Sequence, residues 1–141
     1  MGKSLKILSR IQKFNIDEQR KKLSEKMDEE AQVIENIKQL DAKYEEEKRF
    51  ATQNTGVGDF GLFTKRYLKI RRGEEEHLHR VKAEIEAIRD KISEMFKEQK
   101  TFEIVDEHRE AVERYENEQK EQKMLDEIGT NAYIKQHGDN N

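Results

Sequence analysis

The sequence predicts an all-α fold: a long two-helix antiparallel coiled coil, or helical hairpin, in which helix two extends beyond helix one. Three observations predict it. The chain has no proline and is 42% charged against 33% hydrophobic, a composition that suits long helices with a thin apolar seam and cannot fill a thick globular core. Leu78, Val81, Ile85, Ile88, Ile92, Met95, Gln99 and Phe102 alternate steps of three and four, the spacing of a coiled-coil seam with one polar exception. A single internal stretch, Gln53-Asn54-Thr55-Gly56-Val57-Gly58-Asp59-Phe60-Gly61, gathers glycine, asparagine and threonine, which is how a break between helices reads.

Taken in order, helix one covers about 3–52, with Val33, Ile37, Leu40 and Tyr44 recurring every three or four residues and Leu23, Met27 and Ile34 along the edge of the same stripe. The turn lies at about 53–60 and helix two at about 61–129, with Gly129 as its C-terminal stop. Residues 1–135 form a single coiled-coil hairpin, and the polar, glycine-containing 136–141 form a flexible tail. A reversal near Thr55 to Gly58 sets opposite one another those positions whose numbers sum to about 113 to 115. Ile37 then faces Leu78, Ile34 faces Val81, Met27 faces Ile88, Leu23 faces Ile92, and Ile11 approaches Phe102. Each arm of about 50 residues reaches about 75 Å, and helix two overhangs its partner by about five turns. The overhang keeps Val112, Tyr115, Met124, Leu125 and Ile128 among its charges, with no partner in the chain.

Charge is divided along the sequence. Residues 1–22 hold seven bases and two acids, whereas residues 101–128 hold ten acids and four bases. An antiparallel hairpin lays the basic end beside part of the acidic one, and a parallel arrangement is opposed. The basic start, with Leu5, Leu8, Ile11 and Phe14 on one side, also has the pattern of a helix lying on an anionic membrane, but pairing with the acidic helix is the favoured reading. A net charge of −3 lacks the concentrated basic face of a nucleic-acid binder. No apolar run approaches the length of a membrane span and no secretory signal opens the chain, so a cytoplasmic protein without direct membrane insertion is expected.

The residues offer little to catalysis. Without cysteine there is no thiolate nucleophile or ligand and no disulfide. His77 and His79, two apart on a helix, point to different sides, whereas a helical metal pair needs a spacing of three or four; they read as exposed histidines. The runs Glu45-Glu46-Glu47 and Glu74-Glu75-Glu76 read as solvated faces. Asp59-Phe60-Gly61 resembles the kinase triplet only superficially, since no strand or catalytic loop accompanies it. Gly73 lies inside helix two, as a bend, a close approach or a tolerated surface glycine. No catalytic, cofactor-binding or metal residue is assigned: the chain is expected to be no enzyme and to need no cofactor, because two helices offer no cleft that shields reacting groups from water.

Lys3-Ser4-Leu5-Lys6-Ile7-Leu8-Ser9-Arg10-Ile11-Gln12-Lys13-Phe14, followed by Asp17-Glu18-Gln19-Arg20 and two lysines, resembles the opening of the FliJ family of flagellar export proteins. Glu118-Gln119-Lys120-Glu121-Gln122-Lys123-Met124-Leu125-Asp126-Glu127-Ile128 is similar to that family's closing stretch, in which a glutamine-lysine pair runs into a hydrophobic residue and Asp-Glu. The likeness covers the whole chain in layout, and its specificity lies in these two ends. It implies an antiparallel two-helix coiled coil like the rotor stalk of rotary ATPases, and a soluble component of the bacterial flagellar type III protein export apparatus. The implied partners are the export ATPase hexamer, the cytoplasmic domain of the export gate and export chaperones, with the protein peripherally associated with the inner-membrane export apparatus and monomeric when free. On that reading the ATPase-contact candidates are Leu5, Leu8, Met124, Leu125, Asp126, Glu127 and Ile128, where family signature and unpaired apolar surface coincide. Tyr44, Phe50, Phe60, Phe63 and Tyr67, aromatic and near the turn, are the export-gate-contact candidates. Two other readings compete: a general holdase chaperone of the prefoldin type, which lacks the strand-like segment such proteins need, and a structural coiled-coil dimer.

Overall fold

The computed structural model describes residues 2–56 and 58–138; Val57 of the expected turn and residues 139–141 of the expected tail lie outside them. Two helices, α1 (Gly2–Gln53) and α2 (Phe60–Gly138), pack against each other as a helical hairpin, and no strand occurs among the described residues. The break between them is built from local chemistry. Asn54 closes α1, its backbone N–H and side-chain amide both donating to the Phe50 carbonyl, at 2.9 and 3.1 Å. Gly56 and Gly58 take φ of 92° and 75°, a left-handed region in which a Cβ is strained. Asp59 then starts α2 as its N-cap, accepting the Leu62 N–H at 3.0 Å through Oδ1, which satisfies one of the donors that every helix start leaves unpaired.

Packing divides the chain into two units, Lys13–Phe96 and Met1–Gln12 with Lys97–Asn141, where the sequence reading has one hairpin over 1–135. In the first unit Ile16, Val33, Val81 and Ile85 are buried together with Gln19. Half-buried positions continue the stripe through Leu23, Lys26, Glu30, Ile37, Leu40 and Tyr44 of α1 and through Phe60, Thr64, Tyr67, Arg71, Glu74, Leu78, Ile88, Ile92 and Met95 of α2. In the second unit Gln99 is buried, and Leu5, Ser9, Gln12, Phe102 and Asp106 are half-buried. Both helices therefore follow the three-four stepping of a heptad seam.

The register differs from the expected one by about one helical turn. Tyr44 meets Thr64 and Asp41 meets Arg71, while Ser9 meets Gln99 and Gln12 meets Glu98; these pairs sum to 108, 112, 108 and 110, below the expected 113 to 115. Ile34, Met27 and Ile11, each assigned a facing partner from the sequence, are instead 47%, 44% and 51% exposed. Polar residues on the seam pair in the observed register. Sliding α1 to the expected register sets Arg71 beside Ala42, Lys43 and Tyr44 in place of Asp41, so the Asp41–Arg71 pair fits the observed register and not the expected one.

Helix α2 also continues nine residues past Gly129, through to Gly138. A glycine inside a helix costs about 1 kcal/mol relative to alanine but does not stop it. Gly129 has no positive φ, and beyond it Tyr133 stacks on His137 at 3.9 Å while His137 Nδ1 bonds the Tyr133 carbonyl at 3.1 Å. Lys135 and His137 in the last turn favour the negative end of the helix dipole.

Candidate interaction surfaces

At the turn end of the Lys13–Phe96 unit, four of the five aromatic candidates come together. Tyr44 stacks on Tyr67 at 4.1 Å, on Phe60 at 5.7 Å and on Phe63 at 6.2 Å, and Phe60 lies 6.2 Å from Phe63. All four are half-buried and close the hairpin end by packing on one another. Phe50 is outside the cluster and 51% exposed.

Next to it lies a polar group that heptad counting missed. Arg71 grips Asp41 with two hydrogen bonds, from Nε to Oδ1 at 2.8 Å and from Nη2 to Oδ2 at 3.1 Å, and also reaches Glu75, while the Tyr67 hydroxyl donates to Asp41 Oδ1. The guanidinium first, then the Tyr67 hydroxyl, hold the Asp41 carboxyl below its ordinary value, and Asp41 in turn raises the pKa of Tyr67 and Arg71. A second group stands mid-hairpin, where Lys26 bridges Glu84 and Glu29 and His77 Nε2 meets Glu29 at 2.8 Å. His77, then Lys26, lower the Glu29 pKa, and Glu84, then Glu29, raise that of Lys26.

His77 is thus half-buried and engaged, not solvent-exposed, while His79 is exposed. Glu74 likewise leaves the solvated run expected of it: it sits on the seam with Oε2 buried and without a hydrogen-bond partner. The signal for both was the heptad itself, because Glu74 falls four before Leu78 and His77 one before it. Gly73 meets nothing within 4 Å of the position its Cβ would take, so it is a surface glycine and no close helix approach requires it.

The ATPase-contact candidates all fall in the unit that joins the start of α1 to the end of α2. Leu5 is half-buried on the seam, whereas Leu8 is 47% exposed. Met124, Leu125 and Ile128 are 60 to 63% exposed, Glu127 is exposed, and Asp126 accepts a hydrogen bond from Gln122 at 3.1 Å. The structure does not bring the two sets together. Ser9 lies beside Gln99, so Leu5 is opposite the neighbourhood of residue 103, and the Met124 to Ile128 group stands about 30 Å farther along α2. Every residue from Glu107 to Gly138 is exposed. This overhang is 32 residues long, about nine turns against the five expected, because the register is lower and α2 runs past Gly129.

Among the described residues the opposite charges at the two ends form no ion pair with each other. Lys3, Lys6 and Arg10 have no ion pair among the described residues, nor do Glu110, Glu113, Glu116, Glu118, Glu121 and Glu127. The same register explains it: the basic start lies beside 97–106, short of most of the acids. Among the described residues no helix is long and apolar enough to cross a membrane, and no group of three or more His, Asp or Glu is placed to hold a metal ion. No family model, curated protein or solved structure matches the chain.

Proposed function

We propose that this chain is a non-enzymatic component of the bacterial flagellar type III protein export apparatus, cytoplasmic and peripherally associated with the inner-membrane machinery. It binds the export ATPase ring as a rotor-stalk-like element and links it to the export gate and to export chaperones. The observation that carries the proposal is the overhang. The stretch 118–128, which is similar to the closing stretch of the FliJ family, lies on the part of α2, Glu107 to Gly138, in which every residue is exposed, Met124, Leu125 and Ile128 among them. A helix of this kind gains most by laying its apolar residues on another protein. Two packed helices ending in such an extension suit insertion into a ring, where a preference for one subunit interface shifts the conformations that turn nucleotide over.

The test is ATP hydrolysis by the cognate export ATPase, titrated with the intact protein, with a version truncated after Gln119, and with Leu125→Glu/Ile128→Glu. Stimulation by the intact protein and its loss in both variants supports the role. An ATPase rate unchanged by the intact protein, with no binding, removes the ATPase from the proposal.

A further inference from the structure

We propose that a second copy of this chain covers the overhang of α2, whose acidic Glu110 to Ile128 stretch lies along the basic outer face at the start of the partner's α1. Both halves of this surface are exposed within one unit. On α1, Ile7, Leu8 and Ile11 are 56%, 47% and 51% exposed. Ile7 and Ile11 are four residues apart and so share a stripe, which Lys3, Lys6 and Arg10 flank at helical spacing. On α2, Val112 and Tyr115, three apart and 41% and 63% exposed, share one stripe, and Leu125 and Ile128, 63% and 61% exposed, share another farther along, set among seven acids and three bases between Glu110 and Ile128. The two surfaces match in chemistry, apolar residues edged by opposite charge.

They do not meet within one chain. The pairing of Ser9 with Gln99 puts Lys6 opposite the neighbourhood of residue 102, and the middle of the acidic stretch lies about 25 Å beyond it on α2. A two-fold axis removes that offset. Each overhang then runs onto the other copy's α1, both copies use both surfaces, and the contact closes as a symmetric dimer with no free complementary end. An anionic membrane is the less fitting occupant of the basic face. It leaves the overhang uncovered and is repelled by the acids of the same unit. A concentration-dependent monomer–dimer equilibrium then replaces the free monomer expected from sequence, and because Leu8, Leu125 and Ile128 serve both, the dimer and the proposed ATPase contact exclude one another on this surface.

The experiment is sedimentation equilibrium of the intact chain over a range of concentrations and at two salt levels. The expected mass moves from 16.8 kDa toward twice that value as concentration rises, with weaker association at high salt. Lys6→Glu/Arg10→Glu and Glu113→Lys/Glu116→Lys each place like charges across the contact and raise the dissociation constant by more than about tenfold. An equimolar mixture of the two variants restores opposite charges at both contacts and restores the dimer. All four positions are exposed, so circular dichroism should show both variants as helical as the parent. A mass of one chain at every concentration, a dimer indifferent to either charge reversal, or a mixture no tighter than its components overturns the proposal. So does a monomer that binds phosphatidylserine vesicles through Lys6 and Arg10.

Discussion

Two glycines of α2 and the turn before it should respond to the same substitution with opposite signs. Gly73 lies inside α2 with a helical φ, and an added Cβ meets nothing within 4 Å. Gly73→Ala therefore gains the full difference in helix propensity, about 1 kcal/mol, by removing backbone freedom from the unfolded chain without a steric cost in the folded one. At Gly58 the space is equally open, yet φ is +75°, and a Cβ there costs about 1–2 kcal/mol. Urea titration followed by far-ultraviolet circular dichroism separates the two: the midpoint rises for Gly73→Ala and falls for Gly58→Ala, with unchanged slope in both. The two melting temperatures should differ by at least about 6 °C. A lower midpoint for Gly73→Ala refutes the reasoning and shows that a bend or close approach at residue 73 is needed after all.

Three further outcomes follow from the seam. Val81→Ala removes two carbons from a side chain that is 1% exposed and should cost about 2 kcal/mol; Ile34→Ala, at 47% exposed, should cost under about 1 kcal/mol, and equal losses in the urea midpoint count against the observed register. Gln99→Leu removes the amide that bonds Ser9 and an Oε1 that is buried without a partner, and should keep or raise the midpoint while loosening register, read as broader electron-spin distance distributions between labels on α1 and α2. Asp41 and Glu29 are held below their ordinary values of 3.8 and 4.5, so their contribution is complete above about pH 5 and is lost as pH falls through the lowered folded values. Lys26 and Tyr67 are raised above 10.5 and 10.0; their contribution is complete below about pH 9 and is lost as pH rises through the raised values. Midpoints that rise at either extreme contradict these assignments.

The heptad Leu78 to Phe102 was legible because each of its eight residues, Gln99 included, is buried or half-buried on the seam. Val33, Ile37, Leu40 and Tyr44 were legible for the same reason. The first twenty residues were not. There the seam runs through Leu5, Ser9, Gln12, Ile16 and Gln19, mostly polar, while the apolar Ile7, Leu8, Ile11 and Phe14 are exposed. A count of hydrophobic residues selects the wrong face in such a segment, and with it the wrong register. Asp41 and Arg71 were missed likewise, since a charge on a seam reads as solvated until its partner is known. Of the interaction residues, the exposure of Met124, Leu125 and Ile128 followed from their lack of a facing helix. The mutual stacking of Tyr44, Phe60, Phe63 and Tyr67 did not, because it depends on the register.

The overhang also makes a prediction about dynamics. In isolation a helix gains one hydrogen bond per residue against the entropy of fixing it, and without tertiary contacts even good helix formers are marginal in water. Residues 107–138 have no buried position, and their local support amounts to pairs such as Gln122 with Asp126 and Tyr133 with His137, worth about 0.2–0.5 kcal/mol each. Gly129 subtracts about 1 kcal/mol. Amide exchange in dilute solution should therefore be fast over 107–138 and slow around Val33, Val81 and Ile85, whose opening requires the hairpin to separate. Raising the protein concentration should slow exchange in 107–138 if a second copy covers it, and Glu113→Lys/Glu116→Lys should abolish that slowing. Strong protection of 107–138 in the dilute monomer shows that the helix is held by its own chain, and the need for a partner disappears.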